Sequence, residues 1–562
     1  MKYFLYLVIT LYTFIFLGIF NSTILKAHEF NYNAKNFSDY FSGLSSFSDL
    51  DYKNSKKFFK NLKGLENQDT KYSSKFIQSL VNLEEYDEAY KFSKKLEKNN
   101  QTNFESKLIL GLYEFKLGNY KKAEIYFNNL NLNFEHSSVF PILKPSLKAW
   151  TKIATSKKKQ DIELLNPPHP AYNNLQLIQK TLANCFINNS GTLSEFKKII
   201  NDEKVNFSRY NFFYSNFLVN NRQKQEGIKA IKNAYENFPG NLLISQFKKS
   251  LEEGEKNNNV FECKNASNVL AEAFYIISSA LSSQMQYKLS NFYLNLAKFL
   301  NPNFISFNTL IAENFLALKK YKSAKEIYAK LEKGGSIYKW YSAKKIAAIM
   351  DDENNINSTT FLYQKYNEIN PGVYETFDLA NFLRNKEEFK KSINLYSEVL
   401  LKIKKDNKLF PMVLERRGMA YEQNDQWDLA EKDLILSLKI LPDEPYVMNY
   451  LAYSWVEKNH NTAKALDMLK KANDLKKNDG YITDSLGWAL YKLKNYSEAK
   501  KYLTSAIKLM PLDPVINDHY GDCLWMNNKK IQARYYWKNV IKSDKADKDL
   551  KKKAEKKLLF GL

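Results

Sequence analysis

Residues 484–514 read DSLGWALYKLKNYSEAKKYLTSAIKLMPLDP. Measured from Gly487, a small residue follows at +12 (Ala499), a large one at +16 (Leu503), a small one at +19 (Ala506) and a proline at +24 (Pro511). Gly418, Ala430, Leu434, Ser437 and Pro442 repeat the same offsets. The unit around Ala452 keeps the frame with one extra residue in its turn, giving Ala465, Leu469 and Ala472. Gly521, Ala533, Trp537 and Val540 form a further copy that lacks the closing proline.

Working outward, the same phase runs back through the chain. The anchor positions are Gly43, Ile77, Gly111, Ala149, Ala183, Ser215, Ser278, Ala312, Ala347, Ala380, Gly418, Ala452, Gly487 and Gly521. All but one of the intervals lie between 32 and 38 residues; the exception, Ser215 to Ser278, is 63. A fixed period of this length is the mark of a repeat architecture, not of independent globular domains. Within each unit apolar residues recur at three- and four-residue steps, the period of a helix. Two helices of about 12–14 residues joined by a short polar turn such as KLKNY account for the period. Small residues at the anchor and at +12 let two antiparallel backbones approach. The large residue at +16 fills the gap between them, and the proline at +24 stops the second helix. One such hairpin cannot bury its apolar face alone, so neighbours must stack. The expected fold is all-α: a right-turning solenoid of about 14 tandem antiparallel helix hairpins.

This pattern resembles the tetratricopeptide repeat. Leu486, Gly487, Ala499, Ala506 and Pro511 match that consensus, whereas its leading Trp is missing and Leu490 stands where a Tyr is expected. The resemblance is clearest over 411–541, weaker over 37–131 and 266–400, and thin over 132–210. The phrases DSLGWALYKLKNYSEA, DPVINDHYGDCLWMNNKKIQARYYWKNVI and FSDYFSGLSS look similar to a family of exported alphaproteobacterial tetratricopeptide proteins. That resemblance implies a place in the cell envelope and a scaffolding or assembly role rather than a named activity.

The domain plan follows from the irregularities. The 63-residue interval contains NLLISQFKKSLEEGEKNNNVFECKN, a helix followed by a polar, Asn-rich loop. It separates an amino-terminal array (31–240) from a carboxyl-terminal array (266–541), with 241–265 as insertion or linker. NPPHP at 166–170 reads as a rigid kink between units. The tail 542–562 reads as a charged capping helix, which a solenoid end needs for solubility. Residues 1–27 read as a signal peptide or a membrane anchor: after Lys2, the stretch Tyr3–Phe20 carries no charge. Cleavage after Ala27 fits the polar boundary, although Leu25 is a poor small-residue partner for it. The apolar run just reaches the length that spans a bilayer, so membrane contact through Tyr3–Phe20 is the alternative. Cleaved or retained, the segment keeps Lys2 cytoplasmic and exports the body, to the periplasm or anchored at the outer side of the inner membrane.

Composition excludes several classes of function. The net charge of +23 arises from lysine, since Arg occurs at only six positions (209, 222, 384, 416, 417 and 534). Readers of nucleic acid lean on Arg for bidentate contacts, so no nucleic-acid partner is expected. Cys185, Cys263 and Cys523 suggest neither a disulfide framework nor a zinc spacing, and the first two read as buried or incidental thiols. His519 and Cys523 stand four apart on one helix face with Asp518 and Asp522 beside them, half of a metal site with no second half. No phosphate-binding loop, nucleophile elbow or HExxH is present. No enzyme activity, cofactor or metal is expected.

The first helix of each hairpin should line the inner surface of the array, with side chains at −6, −3, +1 and +4 from the anchor facing inward. In three successive units these are Tyr446, Asn449, Tyr453 and Val456; then Tyr481, Asp484, Trp488 and Tyr491; then Val515, Asp518, Asp522 and Trp525. Five of the seven Trp lie between 427 and 537. Aromatics with Asn and Asp suit a groove for a protein or peptide ligand. Tyr453 and Trp488 read equally well as packing between helices. The acidic residues would repel an anionic peptide end and favour a basic or extended polypeptide.

Overall fold

The computed structural model describes residues 34–562 except 63–64, 66–68, 133, 167–168, 170–171, 203–206 and 255–259. The expected signal peptide or anchor at 1–27 lies outside the described residues. Those residues form helices and connecting turns with no strand among them, and the helices are paired in tandem hairpins. The all-α fold follows the period. Every anchor from Gly43 to Gly521 is buried. At Gly111 an added Cβ would lie 2.3 Å from the Phe127 ring, and at Gly487 one would lie 2.6 Å from Leu503. Anchor and +16 residue therefore touch across each of these hairpins, and the glycine is what lets the large side chain seat.

The turns carry a feature the pattern did not announce. The residue seven positions after the anchor is left-handed in most hairpins, at Leu50, Glu84, Gly118, Arg222, Met285, Lys319, Asn354, Glu387, Asp425, Asn459, Lys494 and Asn528. The next amide reaches back five residues, as in Asn495 N–H to the Leu490 carbonyl at 2.9 Å, the bond that closes a helix with a left-handed residue. Gly118 is the lone glycine among them.

The chain divides into two compact units, residues 1–349 and 350–562. In the first, the hairpin following Ala149 has its second member shortened to a 3₁₀ segment, Lys159–Leu165. The 241–265 segment lies within this unit and contributes the single helix Leu242–Glu252 and Cys263. The hairpin Ala266–Ser283 and Tyr287–Leu300 then packs against the first helices of earlier repeats, among them Thr70–Asn82 and Phe140–Ser156. Residues 290–300 are all buried. The Tyr86 hydroxyl donates to the Asn295 carbonyl at 2.8 Å, Lys116 Nζ to the Phe299 carbonyl at 2.6 Å, and Lys298 pairs with Glu84 at 2.8 Å. The inner face of the amino-terminal repeats is thus filled by the chain itself.

The expectation of unpaired thiols at Cys185 and Cys263 is corrected here. The two are bonded, with Cα atoms 5.8 Å apart across 78 residues of sequence. The bond joins the end of helix Asn173–Phe186 to the approach of Ala266–Ser283. Their proximity is a product of the tertiary path, which spacing cannot show.

The second unit stacks the pairs Val373–Asn385 with Phe389–Lys402, Phe410–Gln423 with Trp427–Ile440, Pro445–Glu457 with Thr462–Leu475, Gly480–Lys492 with Tyr496–Leu509, and Pro514–Met526 with Lys530–Lys542. Pro445 and Pro514 occupy the first helical position, where no amide donor is lost. Asp479 and Asp513 cap the helices that follow them. The final helix, Lys548–Phe560, buries Ala554 against the Trp537 cluster.

Two outcomes test this architecture. Gly111→Ala should lower stability by about 1–3 kcal/mol through overpacking against Phe127, read as the urea midpoint, with partial recovery when Phe127→Leu is added. Unreduced, denatured protein should titrate one thiol per chain, Cys523. Replacing Cys185 and Cys263 by Ser should cost about 2–4 kcal/mol.

Candidate functional site

The first helices of the last three repeats hold the expected groove residues, and the structure sorts them into two groups. Tyr446, Tyr481 and Val515, at the −6 position, are 47%, 55% and 42% exposed. They form an accessible row of rings and branched carbon. The Tyr446 hydroxyl donates to Asp479 at 3.1 Å. Asn449, Tyr453, Tyr491 and Trp525 are partly exposed. Val456, Asp484, Trp488, Asp518 and Asp522 are buried. Trp488 is thus a packing residue: its ring stacks on His519 at 3.9 Å and on Tyr491 at 4.7 Å, and its Nε1 donates to Glu457 at 2.5 Å.

The three aspartates converge. Asp484 Oδ2 lies 2.8 Å from His519 Nδ1. Lys557, from the final helix, reaches Asp518 at 2.8 Å and Asp522 at 2.7 Å. Asp522 also accepts from Trp537 Nε1 at 2.9 Å. Lys530 and Arg534 lie over the Trp525 ring, 5.1 and 4.9 Å from its centre, and Gly561 sits against the same side chain. Sequence reasoning missed His519 as the partner of Asp484, and missed Lys557 and Gly561 altogether. The lysine-rich tail gave no sign of which side chain would turn inward.

Burial pushes Asp522 up to about 6, helped by the Asp518 charge and opposed by Lys557. Burial disfavours the charged form of His519, yet the charges of Asp484 and then of Asp518 and Asp522 outweigh it and hold the imidazole above its ordinary value. Burial is the main cause of the raised Tyr453 phenol, with Glu457, Asp484 and Asp518 adding to it.

The half-site read at His519 and Cys523 does not converge on a common point. Cys523 Sγ lies 3.6 Å from the Tyr496 carbonyl, and burial pushes its thiol up to about 11. Glu105, Glu135 and His136, in the first unit, do bring ligand-type atoms together. His136 spends both ring nitrogens on Glu105 (3.0 Å) and the Tyr293 hydroxyl (2.7 Å), and Glu135 is held by Lys75 at 2.7 Å. The group is a partly buried network of hydrogen bonds and ion pairs. Among the described residues no helix is long and apolar enough to cross a membrane.

The geometry of a small anchor against a large +16 residue, repeated at about 34 residues, is that of the repeat resembled in sequence. The repeats resemble tetratricopeptide repeats in pattern and in packing. No family model matches the chain. It is 28% identical over 143 residues to the TPR repeat-containing protein PA4667 of Pseudomonas aeruginosa, over 25% of this chain and 23% of that protein. The chain thus spans about a quarter of the curated relative it matches. Among solved structures, it is similar to the thermophilic TPR protein TTC0263 of Thermus thermophilus, at 15% identity and a TM-score of 0.30 over 34% of this chain and 100% of the other. It is also similar to YrrB, described as a TPR protein with an unusual peptide-binding site, at 16% identity and a TM-score of 0.27 over 34% of this chain and 97% of that one.

The buried acid–base cluster fixes a direction of pH dependence. His519 binds its proton more tightly folded than unfolded, so its contribution is complete below the ordinary imidazole range and is lost as pH rises through the higher folded value. Asp522 has the same sign, and its part is lost between about pH 4 and 6. The urea midpoint followed by tryptophan fluorescence should therefore fall from pH 5 to 8, and His519→Gln should flatten the upper part. Asp484→Ala removes the nearest counter-charge of His519 and leaves its buried Nδ1 without a partner, and should cost about 1–3 kcal/mol.

Proposed function

We propose that this protein is an exported, non-enzymatic scaffold or adaptor that binds an extended polypeptide segment along the first helices of its carboxyl-terminal repeats. The observation that carries this reading is the exposed row Tyr446, Tyr481 and Val515 running at repeat spacing beside the buried acidic cluster. Exposed rings in register supply anchors of low conformational cost, and the carboxylates and Asn449 supply acceptors for backbone and basic groups. The corresponding inner face of the amino-terminal repeats is occupied by Ala266–Leu300, which favours the carboxyl-terminal repeats as the binding element.

Export is supported by the apolar Tyr3–Phe20 stretch and by the Cys185–Cys263 bond, since disulfides persist in oxidising compartments. A role in envelope assembly rests on the resemblance to exported tetratricopeptide proteins. Retention of Tyr3–Phe20 as an inner-membrane anchor is the second reading, and amino-terminal sequencing of the mature protein with carbonate extraction separates the two.

A photo-crosslinking residue placed at Tyr481 should yield a discrete protein adduct in cells. The same residue at Leu436, on a second helix, should not. Tyr446→Ala should reduce the adduct several-fold without changing the thermal midpoint. Equal adducts from both positions would reject the groove.

A further inference from the structure

Asn449 and Asp484 occupy the same register on the first helices of consecutive repeats, Pro445–Glu457 and Gly480–Lys492, and these helices touch directly. Asn449 Oδ1 and Asp484 Oδ1 are both buried, and neither has a hydrogen-bond partner among the described residues. Asp484 as a whole is 5% exposed. Buried acceptors without donors are costly in a closed structure, and two of them on helices in contact call for a group that completes them. Tyr453, one turn on from Asn449, lies within the field of Asp484 and Asp518, so the two acceptors and the acidic cluster share one region.

The charges there do not balance. Three carboxylates, Asp484, Asp518 and Asp522, face two cations, His519 and Lys557. The next repeat already shows how this face takes up a cation: Lys557 spans Asp518 and Asp522, delivered by the chain's own final helix. One step back along the array, His519 takes Asp484 Oδ2, while Asp484 Oδ1 and Asn449 Oδ1 are left without a donor among the described residues. Glu457 nearby is engaged by Trp488 and lies 3.6 Å from Lys492. An ammonium or guanidinium carries donors and no acceptor, which is what two bare acceptor oxygens and one uncompensated negative charge require.

We propose that Asn449 and Asp484 form a subsite for a lysine or arginine side chain of the bound polypeptide. This inference rests on the groove reading above and specifies the partner: an extended segment with a basic residue, its backbone lying along Tyr446 and Tyr481 while the basic side chain enters between the two repeats. Lys557 is the intramolecular counterpart of that side chain in the neighbouring repeat.

The test uses the full chain and fluorescein-labelled pools of nine-residue peptides, degenerate at every position except the centre, which is fixed as lysine, arginine, norleucine or glutamate. Anisotropy titrations should show the lysine and arginine pools binding at least tenfold more tightly than the norleucine pool, with glutamate weakest. Asp484→Asn, which keeps the shape of the side chain, should abolish the preference, and Asn449→Leu should reduce it several-fold. Asp443→Asn, at an exposed ion pair with Lys471, should leave it unchanged. Equal binding of the lysine and norleucine pools, or a preference that survives both substitutions in protein with a wild-type circular dichroism spectrum, overturns the subsite. If binding is then still lost on Tyr446→Ala with Tyr481→Ala, the groove stands without it. If no pool binds, or binding ignores the tyrosines, both readings fall.

Discussion

At Gly43, Gly111, Gly418, Gly487 and Gly521 the first helix of the hairpin meets a large residue on the second, and this contact sets the closest approach of the two backbones. At Gly111 and Gly487 there is no room even for a methyl group beside Phe127 and Leu503. Because this contact recurs along the chain, each hairpin presents an apolar face to its neighbour, and stacking can continue from unit to unit. Stability in such an array is local and nearest-neighbour, so departures are tolerated where a unit keeps its anchor. The shortened Lys159–Leu165 segment and the extra helix Leu242–Glu252 are accommodated in this way.

The first unit uses this regular surface for a purpose a simple array does not need. Its inner face receives Ala266–Leu300, so Lys298, Asn295 and Tyr293 are buried against residues far back in the chain. The Cys185–Cys263 bond ties the same hairpin to the repeats it packs against. Polar groups on the returning hairpin find specific partners instead of solvent, which makes the packing register-specific and not merely apolar. The carboxyl-terminal repeats carry the same kind of inner face but meet it with Lys557 and Gly561, and the exposed tyrosine row is left beside them.

The chemistry of that second face follows from burial. Asp484, Asp518 and Asp522 are removed from water at the crossing of successive helices, where an unpaired carboxylate is expensive. His519 and Lys557 offset most of the charge, and stacking of Trp488 on His519 covers the imidazole. Trp488, an expected contact residue, serves the cluster from within. Tyr446 and Tyr481 are the residues placed to meet a partner. The division between buried acid and exposed ring is what distinguishes this surface from an ordinary packed seam.

The sequence by itself determined the hairpin, its phase and the all-α class, because a small–large–small–proline pattern at about 34 residues has one packing solution and each hairpin reads only its own residues and its neighbours. It also placed Tyr446 and Asn449, Asp484, and Asp518 at matching positions on three successive first helices, since that follows from the repeat spacing alone. Tertiary structure decided the rest. The left-handed turn residues carry no common side chain, because the helix-closing bond is made by backbone. The Cys185–Cys263 bond, the burial of Tyr287–Leu300 and the docking of Lys557 join residues tens to hundreds of positions apart. Such contacts depend on how the accumulated rotation of many repeats brings distant faces together, a sum that no local spacing records.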